Sequence, residues 1–289
     1  MLATLLLPLF LLAGAGYVLA RSPWIKPGWQ AGLGEVTTKL LIPALLLGGA
    51  YKYGLLAGAS WQVLGAFYLP LTGLFVIVAL LARSATRALT ATYSNTAFVG
   101  IPVLLQAFGH DSLQFAFPVI AFHSLIAFTL YYLASGSGHV GASLANAARN
   151  PIIVSLMLGL ALNVGGVVLP HVLQQVLDML AAAALPCALI VLGASLAGLH
   201  LRSFGEACAF SAIKLLLFPA CVLGMAKYVM HTPAQATAVL VVMASCPVGV
   251  NAALVVQADG QDAAPVSSAI LMSSLACIVT MPMWLMLLN

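Results

Sequence analysis

Long apolar runs separated by short polar clusters organise this chain. Most are near the length, about 20 residues, that an α-helix needs to cross the hydrocarbon core of a bilayer. They predict ten helices, at about 2–20, 36–51, 60–82, 87–108, 114–134, 150–168, 172–197, 205–230, 233–257 and 264–287. The first basic residue, Arg21, follows the first run instead of preceding it, so that run reads as a membrane helix and not as a signal peptide. The second run is the shortest and holds Pro43 inside Leu40-Leu41-Ile42-Pro43-Ala44-Leu45-Leu46-Leu47-Gly48.

Two runs are interrupted in the same way. One reads Ser94-Asn95-Thr96-Ala97-Phe98-Val99-Gly100-Ile101-Pro102 and continues to Gln106-Ala107-Phe108-Gly109. The other reads Ser245-Cys246-Pro247-Val248-Gly249-Val250-Asn251 and continues to Gln257-Ala258-Asp259-Gly260. Proline removes a backbone donor and glycine weakens a helix. Inside a membrane, broken backbone is tolerated only where it is buried in protein or lines a cavity. Paired interruptions at corresponding places in two halves point to the binding site of a secondary transporter. The halves divide near residue 140, at Ser135-Gly136-Ser137-Gly138-His139-Val140-Gly141. This segment fits a Gly-x-Gly-x-x-Gly pattern without the strand-turn-helix context of a nucleotide site, so it reads as a flexible linker. The expected organisation is a first five-helix repeat at 1–134, an inner linker at 135–149 and a second repeat at 150–289. Five is odd, so the second repeat must be inverted relative to the first. A Pro…Gly pair in the second span of each half, Pro43…Gly48 and Pro186…Gly193, adds to the match.

Composition narrows the class. Hydrophobic residues make up 63% of the chain and charged residues 6%, with a mean hydropathy of +1.12. A soluble domain carries about 25% charge; this chain reads as an all-α integral membrane protein. The net charge of +4 includes no basic cluster suited to nucleic acid. Its placement gives an orientation. With the N-terminus outside, Arg21, Lys26, Lys39, Arg83, Arg87, Arg149 and Arg202 fall at the inner face and only Lys52 and Lys227 at the outer, as the positive-inside rule requires. Both termini are then expected outside, in a multi-pass protein of a cell membrane, read as a bacterial inner membrane. The five cysteines are scattered without a Cys-x-x-Cys pair and read as buried, inert thiols. No metal and no cofactor is expected.

The ordered motifs resemble those of the auxin efflux carrier family, which includes bacterial malate- and malonate-type permeases and plant PIN-type auxin exporters. Asn95-Thr96-x-x-x-Gly100-Ile101-Pro102 is similar to its fourth-span signature and Arg149-Asn150-Pro151 to the opening of its sixth span. Pro186 through Gly193-Ala194-Ser195-Leu196 is similar to its seventh span, Cys246-Pro247-x-Gly249 to its ninth, and Ser267-Ser268 with Thr280-Met281-Pro282 to its tenth. The resemblance runs along most of the chain. It implies ten transmembrane helices in two inverted five-helix repeats, with crossed broken helices in spans four and nine. It also implies a transport domain that moves against a scaffold, a carboxylate substrate and a homodimer. The plant exporters carry a long loop between spans five and six where this chain has a short linker, and Asn251 replaces an apolar residue of the plant pattern. A bacterial-type organic-anion carrier is the better fit.

A broken helix exposes N–H groups at the start of its second half, where the backbone dipole favours an anion. Two such ends near the midplane would hold a carboxylate without a charged side chain. Asn95 is the leading candidate contact, since its amide can donate to a carboxylate; the alternative is that it caps its own helix. Ser94 and Asn251 accompany it. Gly100, Pro102, Pro247 and Gly249 are expected to shape the breaks. Gln106 and Gln257 lie beyond the breaks and read as site contacts or as interhelical hydrogen bonders. His123 is an ionisable residue within span five, suited to proton coupling or to a neutral hydrogen-bonded role. Lys214, within span eight, would snorkel to the inner surface, balance substrate charge or take the place of a cation. No carboxylate is expected at mid-membrane, so coupling to protons, to sodium or to the potential alone stays open.

A sodium-coupled carrier of the bile-acid-transporter kind is the alternative within transport. An intramembrane enzyme lacks support, because neither His-Glu-x-x-His nor Gly-x-Ser-x-Gly is present. A channel lacks a repeated set of filter residues. Gly28…Gly32 and Gly54…Gly58 have the spacing of helix-association motifs but fall at loops or span ends.

Overall fold

The structure, a computed structural model, describes residues 2–54, 60–139, 141, 145, 149–199, 201 and 204–288. Arg202, Gly58 and most of the linker, at 140, 142–144 and 146–148, lie outside the described residues. The helices are α1 (Leu2–Arg21), α2 (Trp29–Tyr53), α3 (Trp61–Ala82), α4 (Ala85–Thr92), α5 (Thr96–Phe108), α6 (His110–Ser135), α7 (Pro151–Val164), α8 (His171–Ala197), α9 (Phe204–Val229), α10 (Ala234–Ser245), α11 (Asn251–Ala258) and α12 (Ala264–Leu288). Six of them, α2, α3, α6, α8, α9 and α12, are long and apolar enough to cross a membrane. Shorter apolar helical stretches, Leu7–Arg21, Thr96–Phe108, Pro151–Val164 and Ala234–Ser245, fall in α1, α5, α7 and α10. Among the described residues no β-strand is formed beyond one isolated bridge.

Proline sets much of the local geometry. Wide π-helical turns at Thr37–Leu41, Thr96–Gly100 and Ile213–Leu217 each end two residues before a proline: Pro43, Pro102 and Pro219. A proline cannot donate to the carbonyl four residues back and its ring crowds that carbonyl; a wider turn relieves the crowding. The carbonyl four residues before Pro219 belongs to Leu215, and it accepts instead from Trp284 Nε1 at 2.8 Å. Other helices stop at their expected signals. Ser60 and Ser84 cap α3 and α4 by accepting from the N–H groups of Val63 and Arg87, and Gly109, at φ 71°, ends α5.

Helix α10 is buried along nearly its whole length, from Ala236 to Ser245, and forms the centre of the molecule. It packs against α9, α12, α3 and α6, while α1 packs along α8 and α7 packs along α2. Glycine permits the latter two contacts. A methyl group added to Gly16 would lie 2.0 Å from the Ile190 carbonyl oxygen, one on Gly193 would lie 1.7 Å from the Ala13 carbonyl oxygen, and one on Gly159 would lie 2.5 Å from that of Leu47. Gly28 and Gly32, by contrast, have nothing within 4 Å of such a methyl. The exposed ion pairs Arg87–Glu206 (2.7 Å) and Lys52–Asp178 (2.6 Å) join α4 to α9 and α2 to α8. At such exposure they contribute little stability.

Asp259 ties the end of α11 to the linker. Its carboxylate is 1% exposed, accepts from the Tyr131 hydroxyl at 2.9 Å and lies 3.4 Å from His139 Nδ1. Burial pushes its pKa up, but hydrogen bonds from Ser137, Tyr131, Ser135 and His139 outweigh it and hold the carboxyl below its ordinary 3.8. A depressed carboxyl pKa contributes stability that is present above the unfolded value and lost as pH falls through the folded one. Asp259→Asn is therefore expected to melt below the wild type at pH 7, with the difference shrinking below about pH 4. Melting curves of both proteins against pH check this; a gap that stays constant on acidification would contradict it.

Candidate functional site

The two interrupted runs meet. Helix α4 stops at Thr92 and α5 begins at Thr96; α10 stops at Ser245 and α11 begins at Asn251. The intervening segments, 93–95 and 246–250, run past each other antiparallel, with Ser94 opposite Val248. Asn95 N–H donates to the Pro247 carbonyl at 2.8 Å and Gly249 N–H donates to the Tyr93 carbonyl at 3.1 Å. Two further N–H groups face side chains. Ser94 N–H donates to His123 Nε2 at 2.9 Å, and Val248 N–H donates to Ser273 Oγ at 3.0 Å. Each break thus has its outward donor satisfied from the next long helix in sequence, α6 or α12. This accounting is what buried non-helical backbone requires.

The glycines serve close approach more than bending. A methyl on Gly249 would lie 2.4 Å from the Tyr93 ring, and one on Gly100 would lie 2.9 Å from Met243 Sδ. Pro247 and Gly249 lie within their break. Gly100 and Pro102 do not: the chain leaves the helix at Tyr93–Asn95, and the π-helical turn absorbs Pro102.

A cavity of about 60 Å³ opens beside the crossing, lined by Tyr93 through Phe98, Gly249 through Asn251, Thr38, Ile120, Ala121, Ser124, Asn150, Ile152 and Ile153. The starts of three helices, α5, α7 and α11, therefore border one space, and no lining residue is charged. Asn95 takes the expected capping role. Its Oδ1 caps α5 by accepting from Phe98 N–H at 3.2 Å, while its buried Nδ2 has no partner. Ser94 Oγ is likewise buried and unpartnered. Asn150 caps α7 through Ile152 N–H at 2.9 Å. The Tyr93 hydroxyl shares a hydrogen bond with Ser124 Oγ at 3.0 Å and also meets the Asn251 side chain at the exposed mouth.

His123 stands behind the crossing, stacked on Tyr93 at 4.9 Å and edge-on to Phe67 at 5.6 Å. Accepting from Ser94 leaves Nε2 unprotonated and places the ring proton on Nδ1, which is buried and unpartnered. Lys214 is fully buried and does not snorkel; it donates to the carbonyls of Ala244 and Cys246. Gln106 is exposed and outside the cavity lining. Gln257 borders a separate, wide cavity of about 430 Å³ with Gln261, Asp262 and Ser267. On the other side of the crossing, a largely apolar cavity of about 360 Å³ lies among α1, α5, α8 and α12 and touches Pro247.

Sequence reasoning missed Thr38, Tyr93, Ser124 and Asn150 as lining residues. Asn150 carried a signal, because asparagine followed by proline marks a helix start. Thr38 carried none, since only the packing of α2 beside the crossing brings it there. Among the described residues no group of three or more His, Cys, Asp or Glu side chains is placed to hold a metal ion.

A model of the family described as membrane transport protein matches residues 139–285, half of the chain. An uncharacterized transporter of Methanothermobacter thermautotrophicus is similar at 29% identity, an alignment covering 93% of this chain and 92% of the relative.

Proposed function

This chain belongs to the membrane transport protein family, the auxin efflux carriers that its motifs resemble, and from that premise we propose that it is a secondary carrier of a small mono- or dicarboxylate. It is a multi-pass membrane transporter and not an enzyme. The observation that carries the substrate class is the unpartnered donor pair at the crossing. Asn95 Nδ2 and Ser94 Oγ are buried without partners beside the cavity that the starts of α5, α7 and α11 border. Leaving a buried donor unpaired costs about 1–3 kcal/mol, and helix N-termini favour negative charge. A carboxylate supplies both the acceptors and the charge. The cavity suits a carboxylate group; the rest of a larger substrate enters when the site opens.

The moving part is the crossing, α4–α5 with α10–α11, working against α1, α2, α7 and α8. The cavity lies on the boundary between them, since Thr38 comes from α2 and Asn150 from the start of α7. Ten spans in two inverted repeats fit this division, with α4–α5 and α10–α11 as spans four and nine. The contact of Gly16 with Ile190 and that of Gly159 with Leu47 support the repeat. Gly16 and Gly159 are 143 positions apart, as are Leu47 and Ile190, and as are Pro43 and Pro186. With both termini outside, an anion leaving a negative-inside cell gains about 2.3 kcal/mol per charge per 100 mV. Export needs no ion partner on that arithmetic. A homodimer in the membrane completes the reading.

The test is a panel of mono- and dicarboxylates added to purified protein, read as a rise in melting temperature. Hits are then followed as flux into proteoliposomes under imposed potential, pH or sodium gradients. At least one carboxylate is expected both to stabilise and to move. Folded protein that binds and moves none, under any gradient, would overturn the organic-anion reading.

A further inference from the structure

Lys214 is a buried cation whose surroundings are those of a bound ion. It lies in the π-helical turn Ile213–Leu217 of α9 and is fully enclosed. Its Nζ donates to the Ala244 carbonyl at 2.5 Å and to the Cys246 carbonyl at 2.7 Å, and it sits 5.1 Å from the centre of the Phe218 ring. Among the described residues no carboxylate pairs with it. The two carbonyls belong to the end of α10, where the helix breaks for the crossing. A helix C-terminus presents unpaired carbonyls and the negative end of the backbone dipole. Converging backbone carbonyls from an unwound helix, with an aromatic face nearby, are also the groups that hold a monovalent cation.

We propose that Lys214 occupies a monovalent-cation site with its own ammonium, so that the broken helix α10 is capped without a dissolved ion, and that truncating the side chain reopens the site to a small cation. The tether explains why the lysine sits on a neighbouring helix. Its aliphatic stem links α9 to the break, so the donor is tethered to the protein. The carbonyl of Cys246 is one residue from Pro247, whose own carbonyl accepts from Asn95. The cap therefore holds one side of the crossing in register.

The experiment uses the purified full chain and reads melting temperature, so its outcome does not depend on which solute the protein carries. Salt is held constant while choline is replaced by sodium, potassium, ammonium or n-propylammonium; the last matches the atoms removed by Lys214→Ala. The wild type is expected to melt at the same temperature in all of them. Lys214→Ala is expected to melt lower in choline, by on the order of 10 °C, and to recover saturably in ammonium or n-propylammonium. Lys214→Met fills the space without offering a donor, so it should melt low in every salt. Three results would each overturn the proposal: a Lys214→Ala protein that melts with the wild type, one that stays low in every cation, or a wild type whose melting rises saturably with sodium or potassium. If the alanine protein does not fold, the methionine protein decides, and melting with the wild type overturns the proposal.

Discussion

Asn95→Ala is expected to lower carboxylate flux about 10–100-fold, and Asn95→Asp to abolish it, in a protein that still folds. The amide divides its work. Its oxygen caps α5 through the Phe98 N–H, and its nitrogen is a buried donor without a partner beside the cavity. Alanine removes both, so stability falls by about 1 kcal/mol for the lost cap while the substrate loses a hydrogen bond to a charged group, worth about 1.5–3 kcal/mol. Aspartate separates the two effects. It keeps an acceptor at the helix start, where Asp caps as well as Asn, but replaces the donor with a carboxylate that repels an anion. Melting temperature and proteoliposome flux of the three proteins, measured with a carboxylate that the wild type moves, check this. If Asn95→Asp carries that carboxylate at the wild-type rate, the nitrogen is not a substrate contact and the crossing is only structural.

The interruptions were legible because proline, glycine and asparagine have no other reason to recur in matched apolar runs. Their consequences were only partly so. In the second half, Pro247 and Gly249 lie in the break they announce. In the first, Gly100 and Pro102 drew the expected break toward themselves, whereas the chain opens at Tyr93–Asn95. A proline inside a helix need not break it when a wide turn can absorb the clash, and sequence does not say which will happen. His123 and Lys214 were legible as ionisable residues within spans but not in their partners, nor was the full burial of Lys214. Each meets backbone freed by a break far away in sequence, Ser94 N–H for one and the carbonyls of Ala244 and Cys246 for the other. Which carbonyls or donors a break leaves unpaired follows from how two distant segments cross, and periodicity carries no trace of that. The helix contacts show the same limit. Gly28 and Gly32 have the familiar spacing and nothing near them, while the close approaches are at Gly16, Gly159 and Gly193.

Gly16→Ala and Gly193→Ala are expected to reduce folded protein sharply, while Gly14→Ala in the same helix as Gly16 is neutral. Gly14 is exposed and has nothing within 4 Å of an added methyl. At Gly16 and Gly193 the methyl would meet backbone, at 2.0 Å from the Ile190 carbonyl oxygen and 1.7 Å from that of Ala13. No rotamer change relieves a contact between a methyl and a carbonyl; α1 and α8 must separate. Membrane helices associate through close packing of small residues because lipid tails solvate apolar side chains as well as protein does, so separation removes the interaction itself. Overpacking commonly costs about 1–3 kcal/mol, and a clash of a methyl with unyielding backbone lies at or above the top of that range. The expected readings are a melting temperature lowered by roughly 5–10 °C and a lower yield of monodisperse protein for Gly16→Ala and Gly193→Ala. The double mutant should fall short of the sum of the two, since one separation of α1 from α8 relieves both clashes. Alanine at Gly16 that melts with the wild type would mean the two helices do not touch along this line. Gly159 stands against the Leu47 carbonyl as Gly16 stands against that of Ile190, so Gly159→Ala should produce the same loss at the α2–α7 contact.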